Sequence, residues 1–166
     1  MRNDLTKTVF GNKLGKKYTL AEAISLMHSM DMFNIGELAE RAISIKSKVA
    51  QCSKNTPDAD LVNGMEIKHG MTHPDNPRGN TLSAYLSKEK KTAPILGVVT
   101  EQLTGKQYYF SIPYRAYSKS NANTLCIPFE LDGTPRRTPK AATYLPNWWD
   151  FEVATFDKLC KIAKNG

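Results

Sequence analysis

The segment Pro57-Asp58-Ala59-Asp60-Leu61-Val62-Asn63-Gly64-Met65-Glu66-Ile67-Lys68 constrains this chain more than any other. Asn63-Gly64 sits between two short apolar runs. Both residues tolerate a positive φ, which makes the pair a strong hairpin signal. A hairpin brings the acids of its first arm beside Glu66 and Lys68 of its second, and the register decides whether they share a face. With a loop over 62–64, Asp60 stands opposite Glu66 and Asp58 opposite Lys68. Side chains alternate with period two, so all four then point to one side, and Gly64 takes the left-handed position such loops favour. With a loop one residue shorter, Asp58 and Asp60 face away from Glu66 and Lys68.

Carboxylates and a lysine gathered on one sheet face offer hard oxygen donors that suit Mg²⁺, an ion that keeps several waters and takes phosphate oxygens as ligands. Such an ion polarises a phosphodiester and supplies a hydroxide-like nucleophile. A lysine beside it can orient that water and offset charge on the pentavalent transition state. Pro57-Asp58 followed by Glu66-Ile67-Lys68 resembles the motif of the PD-(D/E)XK nuclease superfamily. The resemblance implies a restriction-endonuclease-like α/β fold, a central mixed β-sheet flanked by helices, and metal-dependent DNA cleavage. It implies Asp58 and Glu66 as metal ligands and Lys68 at the attacking water, with Asp60 a rival to Asp58 because the spacing is short. The implied cofactor is Mg²⁺, with Mn²⁺ able to substitute. Many nucleases of this superfamily take a further acid from a helix ahead of the hairpin, a place that Glu37 matches better than Glu40. The competing reading of the segment is a solvated hairpin with ordinary surface charges.

Composition narrows the partner. The formal net charge of +7 favours an anionic one, and nucleic acid is the commonest. A chain of 166 residues is long enough for one domain with a real core. Cys52, Cys126 and Cys160 are widely spaced, with no CxxC, so neither a disulfide framework nor a zinc knuckle is expected. That pattern fits a reducing, cytoplasmic compartment. No apolar run approaches the roughly 18 residues of a membrane span, and no apolar signal region follows the first basic residues, so no membrane partner is expected.

The whole chain reads as a single domain over 1–166, with a basic arm (1–18), a helical amino-terminal part (19–50) and a catalytic sheet with its helices (57–166). Thr19 opens a helix to about residue 30 through a capping-box pattern, and Asn34 opens another to about residue 50. The second carries Ile35, Leu38, Ala42, Ile45 and Val49 as its core stripe. Residues 69–79, rich in Pro and Gly, read as a loop that approaches DNA with Arg78. Gly70 and Pro74 keep His69 and His73 from pairing on a helix as metal ligands. Asn80 caps a short helix through Leu82, Tyr85 and Leu86, after which Lys88 begins a lysine cluster able to line a DNA cleft. The runs 95–99 and 106–114 read as paired strands, and 125–131 as another. Asn147 caps a carboxy-terminal helix with Trp149, Val153, Phe156, Cys160 and Ala163 buried. The polar loops carry Asn123, Arg136, Arg137 and Lys140 as candidate DNA contacts. Arginine reads guanine and asparagine reads adenine, and both also bind phosphate.

This layout is similar to small Type II restriction enzymes and compact homing endonucleases of the same superfamily. The expected function is a Mg²⁺-dependent endonuclease on double-stranded DNA, of sequence-specific restriction or homing type. A homodimer would let it cut both strands. A structure-specific nuclease for branched DNA uses the same chemistry. A non-catalytic nucleic-acid-binding module is the alternative from another class. Convergence of Asp58 or Asp60 with Glu66 and Lys68 separates enzyme from binder.

Overall fold

The computed structural model describes residues 35–52, 60–74, 82–87, 93–102, 104–118, 124–137 and 147–166. The arm over 1–18, the helix expected from Thr19, and Asp58, Arg78, Lys88, Asn123 and Lys140 lie outside those residues. The described elements are α1 (Ile35–Ser47), β1 (Glu66–Pro74), β2 (Leu82–Ser87), β3 (Ile95–Thr100), β4 (Gln107–Ile112), the single turn α2 (Tyr114–Tyr117), β5 (Thr124–Phe129), a 3-10 turn (Trp148–Phe151), β6 (Glu152–Val153) and α3 (Phe156–Asn165). This is a mixed α/β architecture. The strands form one mixed sheet in the order β5-β2-β1-β3-β4-β6, in which β1 and β3 are parallel and every other pair is antiparallel.

β1 is the pivot of this sheet. Its first part, Glu66 to Met71, pairs with β3, and its last part, Thr72 to Pro74, pairs with β2. On one face, Ile67 of β1 and Leu96 and Val98 of β3 pack against Leu38, Ala39 and Ile43 of α1 and Leu159, Cys160 and Ala163 of α3. On the other face, Leu82, Ala84 and Leu86 of β2 and Leu125, Ile127 and Phe129 of β5 share a cluster with Ile95 and Val99 of β3 and Tyr108, Phe110 and Ile112 of β4. Those strand pairs lie on opposite sides of β1, so they touch only because the sheet curls over at that strand. Gly70 lets β2 come close: a Cβ there would meet the Tyr85 carbonyl oxygen at 2.6 Å. Trp148 and Tyr117 fill the inside of the curl, and Tyr117 donates its hydroxyl to the Ala93 carbonyl. Each large apolar side chain buried this way contributes about 1.5–3 kcal/mol.

The ends of α1 and α3 are closed by side chains. Lys48 takes a left-handed φ of 63° after α1, while Ser47 Oγ accepts the Val49 N–H at 3.2 Å and Ser44 Oγ donates to the Val49 carbonyl at 2.6 Å. At α3, Thr155 is the N-cap, and its hydroxyl accepts the Lys158 N–H at 3.2 Å.

Four expectations are corrected here. The core stripe of α1 includes Ala39 and Ile43, both buried, while Ile45 is 57% exposed. The stretch after Lys68 is strand through Pro74 rather than loop, because β3 and then β2 take up its backbone bonds. Residues 82–87 are strand rather than helix; Leu82, Ala84 and Leu86 alternate onto one buried face between β1 and β5. Asn147 stands at φ 54° and makes no side-chain cap, since residues 152–153 pair with the edge of β4 and the helix starts only after Thr155.

Candidate active site

The turn ahead of β1 carries the first acid. Gly64 takes a φ of 88°, and its N–H closes the turn on the Leu61 carbonyl at 2.9 Å. Among the described residues no regular hairpin ladder forms around it. Instead the N–H groups of Asp60 and Leu61 share the Met65 carbonyl at 3.2 and 3.0 Å, and Leu61 makes an isolated bridge to Gln51. Leu61 is fully buried in the cluster under α1 and α3, which fixes the turn against the start of β1.

This placement gathers three of the expected residues. The Glu66 N–H bonds to the Pro94 carbonyl on the β3 side, so the next N–H, of Ile67, points to the opposite edge. Among the described residues no strand pairs with that edge before Thr72. Asp60 Oδ2 accepts the Ile67 N–H at 2.7 Å and lies 3.9 Å from Lys68 Nζ. Lys68 Nζ is 2.9 Å from Glu66 Oε2. Glu66 and Lys68, two apart on β1, share a strand face as the alternation requires. Thus Asp60, Glu66 and Lys68 converge; Asp60 is the aspartate that the described residues place there.

The electrostatics are those of a partly desolvated acid pair around one cation. Glu66 is only 6% exposed. Burial pushes its carboxyl above the ordinary value, the Lys68 hydrogen bond pulls it back, and the negative charge of Asp60 raises it again. Two carboxylates with a lysine between them are a hard-oxygen donor set of the kind Mg²⁺ takes, one or two protein carboxylates with water and phosphate completing the shell. Among the described residues no cluster of three or more His, Cys, Asp or Glu side chains reaches metal-binding geometry.

The raised Glu66 value has a stability consequence with a definite sign. The unfolded carboxyl loses its proton near 4.5, and the folded one loses it higher. Its stabilising contribution is therefore complete below that unfolded value and is lost as pH rises through the folded one. Glu66→Gln should flatten this part of the pH dependence of thermal unfolding in metal-free buffer. An unaltered dependence would contradict the assignment.

The other expected residues lie elsewhere. Glu37 is half-buried in the first turn of α1 and has no hydrogen bond or ion pair to Asp60, Glu66 or Lys68. Arg136 forms a bidentate pair with Glu130, at 2.7 and 2.9 Å. Arg137 bonds Glu152 at 2.6 Å and lies over the Trp148 ring at 5.3 Å. Both guanidinium groups are held by acids that sequence reading had not paired with them. His69 faces away from Lys68 and bonds Thr100 Oγ1 at 3.0 Å, and burial lowers it to about 4, so it stays neutral near pH 7. His73 stacks against Tyr85 with ring centroids 5.0 Å apart. Cys52, Cys126 and Cys160 are free thiols, and burial pushes Cys160 up to about 12. No helix among the described residues is long and apolar enough to cross a membrane.

A further buried acid was missed. Glu101 is fully buried and accepts the Thr104 N–H at 2.8 Å and the Thr104 hydroxyl at 2.7 Å, organising the β3–β4 turn. Its only sequence signal was the Glu-x-x-Thr spacing, which also suits an exposed turn.

Comparison with known proteins finds no matching family model, no matching curated protein and no matching solved structure.

Proposed function

We propose that this chain is a Mg²⁺-dependent endonuclease that hydrolyses phosphodiester bonds in double-stranded DNA, of restriction or homing type. The observation that carries the reading is the convergence of Asp60, buried Glu66 and Lys68 at the start of a central strand. Three such charges within a few ångströms in a mostly buried place cost desolvation energy, and sites of that kind are more often functional than ordinary surface. The resemblance of this segment to the PD-(D/E)XK motif supports the same reading, with the mixed α/β sheet as a compatible frame.

In this reading Asp60 and Glu66 hold the ion, with Mn²⁺ able to replace Mg²⁺. When bound, the ion would supply Lewis acidity toward the phosphate and would make a water more acidic. Lys68 does the work of a positioned cation. It holds Glu66 ionised against desolvation, directs an N–H at the attacking water, and offsets charge on the pentavalent phosphorus. Ile67 N–H orients the Asp60 carboxylate, as partners of metal ligands do. The +7 net charge draws the polyanion in, and Arg137, half-exposed, offers a phosphate contact with donors beyond the one spent on Glu152. A homodimer would place two such sites on two strands.

The test is cleavage of a complex duplex DNA, such as a viral genome, by wild type and by Glu66→Ala, with Mg²⁺ and with EDTA. Discrete fragments are expected from wild type with Mg²⁺ alone. Absence of cutting, with salt-sensitive DNA binding retained, would move the assignment to a nucleic-acid-binding module. Cutting confined to branched substrates would make it a structure-specific nuclease.

A further inference from the structure

We infer that Asn63 is a positioning residue for the site, bracing the Asp60 turn against the end of α3. The inference rests on the endonuclease reading above and extends it to a residue that touches neither metal nor substrate.

The turn is held from two sides. On the side of α1, the Cys52 N–H donates to the Asp60 carbonyl at 2.9 Å, and the Val62 N–H donates to the Ala50 carbonyl at 3.0 Å. On the side of α3, Asn63 Nδ2 donates to the Ala163 carbonyl at 2.6 Å. That bond spans 100 residues of sequence. Ala163 lies in the last turn of α3, where carbonyls have no partner within the helix, so the bond satisfies an otherwise orphaned acceptor. The Asn63 amide also meets the negative end of the helix dipole. Beneath it, Leu61 packs in the same buried cluster as Leu159, Cys160 and Ala163. Asp60 is the first residue of this braced turn, and its Oδ2 makes the contacts to Ile67 and Lys68.

Without the Asn63 bond the turn keeps its ties to α1 and β1, but its tip loses its hydrogen bond to the end of α3, and the Asp60 carboxylate loses that restraint. The α3 tether limits this motion before any ligand arrives and so preorganises an oxygen that would hold the ion. Asn is the residue for this task here. It tolerates turn conformations as Asp does, and it adds the N–H donor that Asp lacks.

The test compares wild type, Asn63→Asp and Asn63→Ala. Asn63→Asp keeps size and turn preference while replacing the donor with an acceptor that repels the Ala163 carbonyl. Asn63 is solvent-exposed, so both variants are expected to fold. Binding of Mg²⁺ and of Mn²⁺ alone is measured by calorimetry, and cleavage is measured as a function of Mg²⁺ and of DNA. Metal affinity should fall roughly 10-fold in both variants, as it does when outer partners of ligands are removed. KM for DNA should hold, and excess Mg²⁺ should restore kcat. Thr134→Ala, which loosens the distant 130–134 turn by removing the Thr134–Asp132 hydroxyl bond, serves as a control for general softening. Unchanged metal affinity in both Asn63 variants, with a wild type that binds metal and cuts, overturns this inference alone. So does an equal loss in Thr134→Ala. A wild type that neither binds metal nor cuts overturns the endonuclease reading and this inference with it.

Discussion

Lys68→Ala should reduce kcat for DNA cleavage by roughly 10²–10³-fold while leaving KM for DNA nearly unchanged, the usual cost of removing one transition-state-directed donor. The expectation comes from where the ammonium sits, 2.9 Å from Glu66 and 3.9 Å from Asp60. It is the only counter-charge the described contacts give to either carboxylate. Removing it leaves Glu66 desolvated beside a like charge, so the Glu66 carboxyl rises further and holds its proton to higher pH. The acid limb of the pH–rate profile should move upward in parallel. Lys68→Arg should recover little, because a planar fork does not replace a compact point charge in this enclosed position. Full activity in Lys68→Ala would remove the lysine from the chemistry and reduce it to a neutraliser of the acids.

The largest expected loss of stability is in the cluster around Trp148. Trp148 is 2% exposed, meets Phe110 edge-on at 5.7 Å, and donates its indole N–H to the Arg136 carbonyl at 3.2 Å. It also carries Arg137 over its face. Trp148→Ala empties the inside of the curl, orphans the Arg136 carbonyl and frees the Arg137 guanidinium. Truncations of this kind cost about 3–5 kcal/mol. For a chain of this size that corresponds to a fall in Tm of roughly 10 °C or more. The urea midpoint should fall with its slope unchanged. A loss of less than about 1 kcal/mol would mean that neighbouring side chains close the gap.

The reach of sequence reasoning differed by kind of signal. Short-range turn chemistry was legible. Asn63-Gly64 demanded a positive φ, Gly64 supplied it, and the turn brought an aspartate to Glu66 and Lys68. The strands 95–100 and 107–112 were legible from their apolar and aromatic runs, and no disulfide joins the cysteines. Where one pattern fitted two periods, the partner decided. Leu82, Tyr85 and Leu86 suit a helix, and Leu82, Ala84 and Leu86 suit a strand; only the presence of β1 and β5 on either side selects the strand. Asn147 was the expected cap, but the edge of β4 claimed residues 152–153, and Thr155 opens the helix instead. The Asn63–Ala163 bond joins segments 100 residues apart, and no local pattern announces it or the pairing of Arg137 with Glu152; Arg136 meets Glu130 across a turn whose course the sequence did not show.

The carboxylate of Asp60 lies on a stretch of the β1 edge that no described strand covers, and this gives it a task separate from any ligand role. A bare N–H on an unpaired strand edge invites another chain to add itself there, and folded proteins blunt such edges with charged groups. By accepting the Ile67 N–H, Asp60 occupies a donor that a neighbouring chain would use, ahead of the point where β2 joins β1. Asp60→Ala would thus lose activity and gain a tendency to self-associate. Asp60→Asn, which retains an acceptor for Ile67, would separate the two: an inactive protein that does not aggregate assigns the missing charge to the chemistry and the remaining oxygen to covering the strand edge.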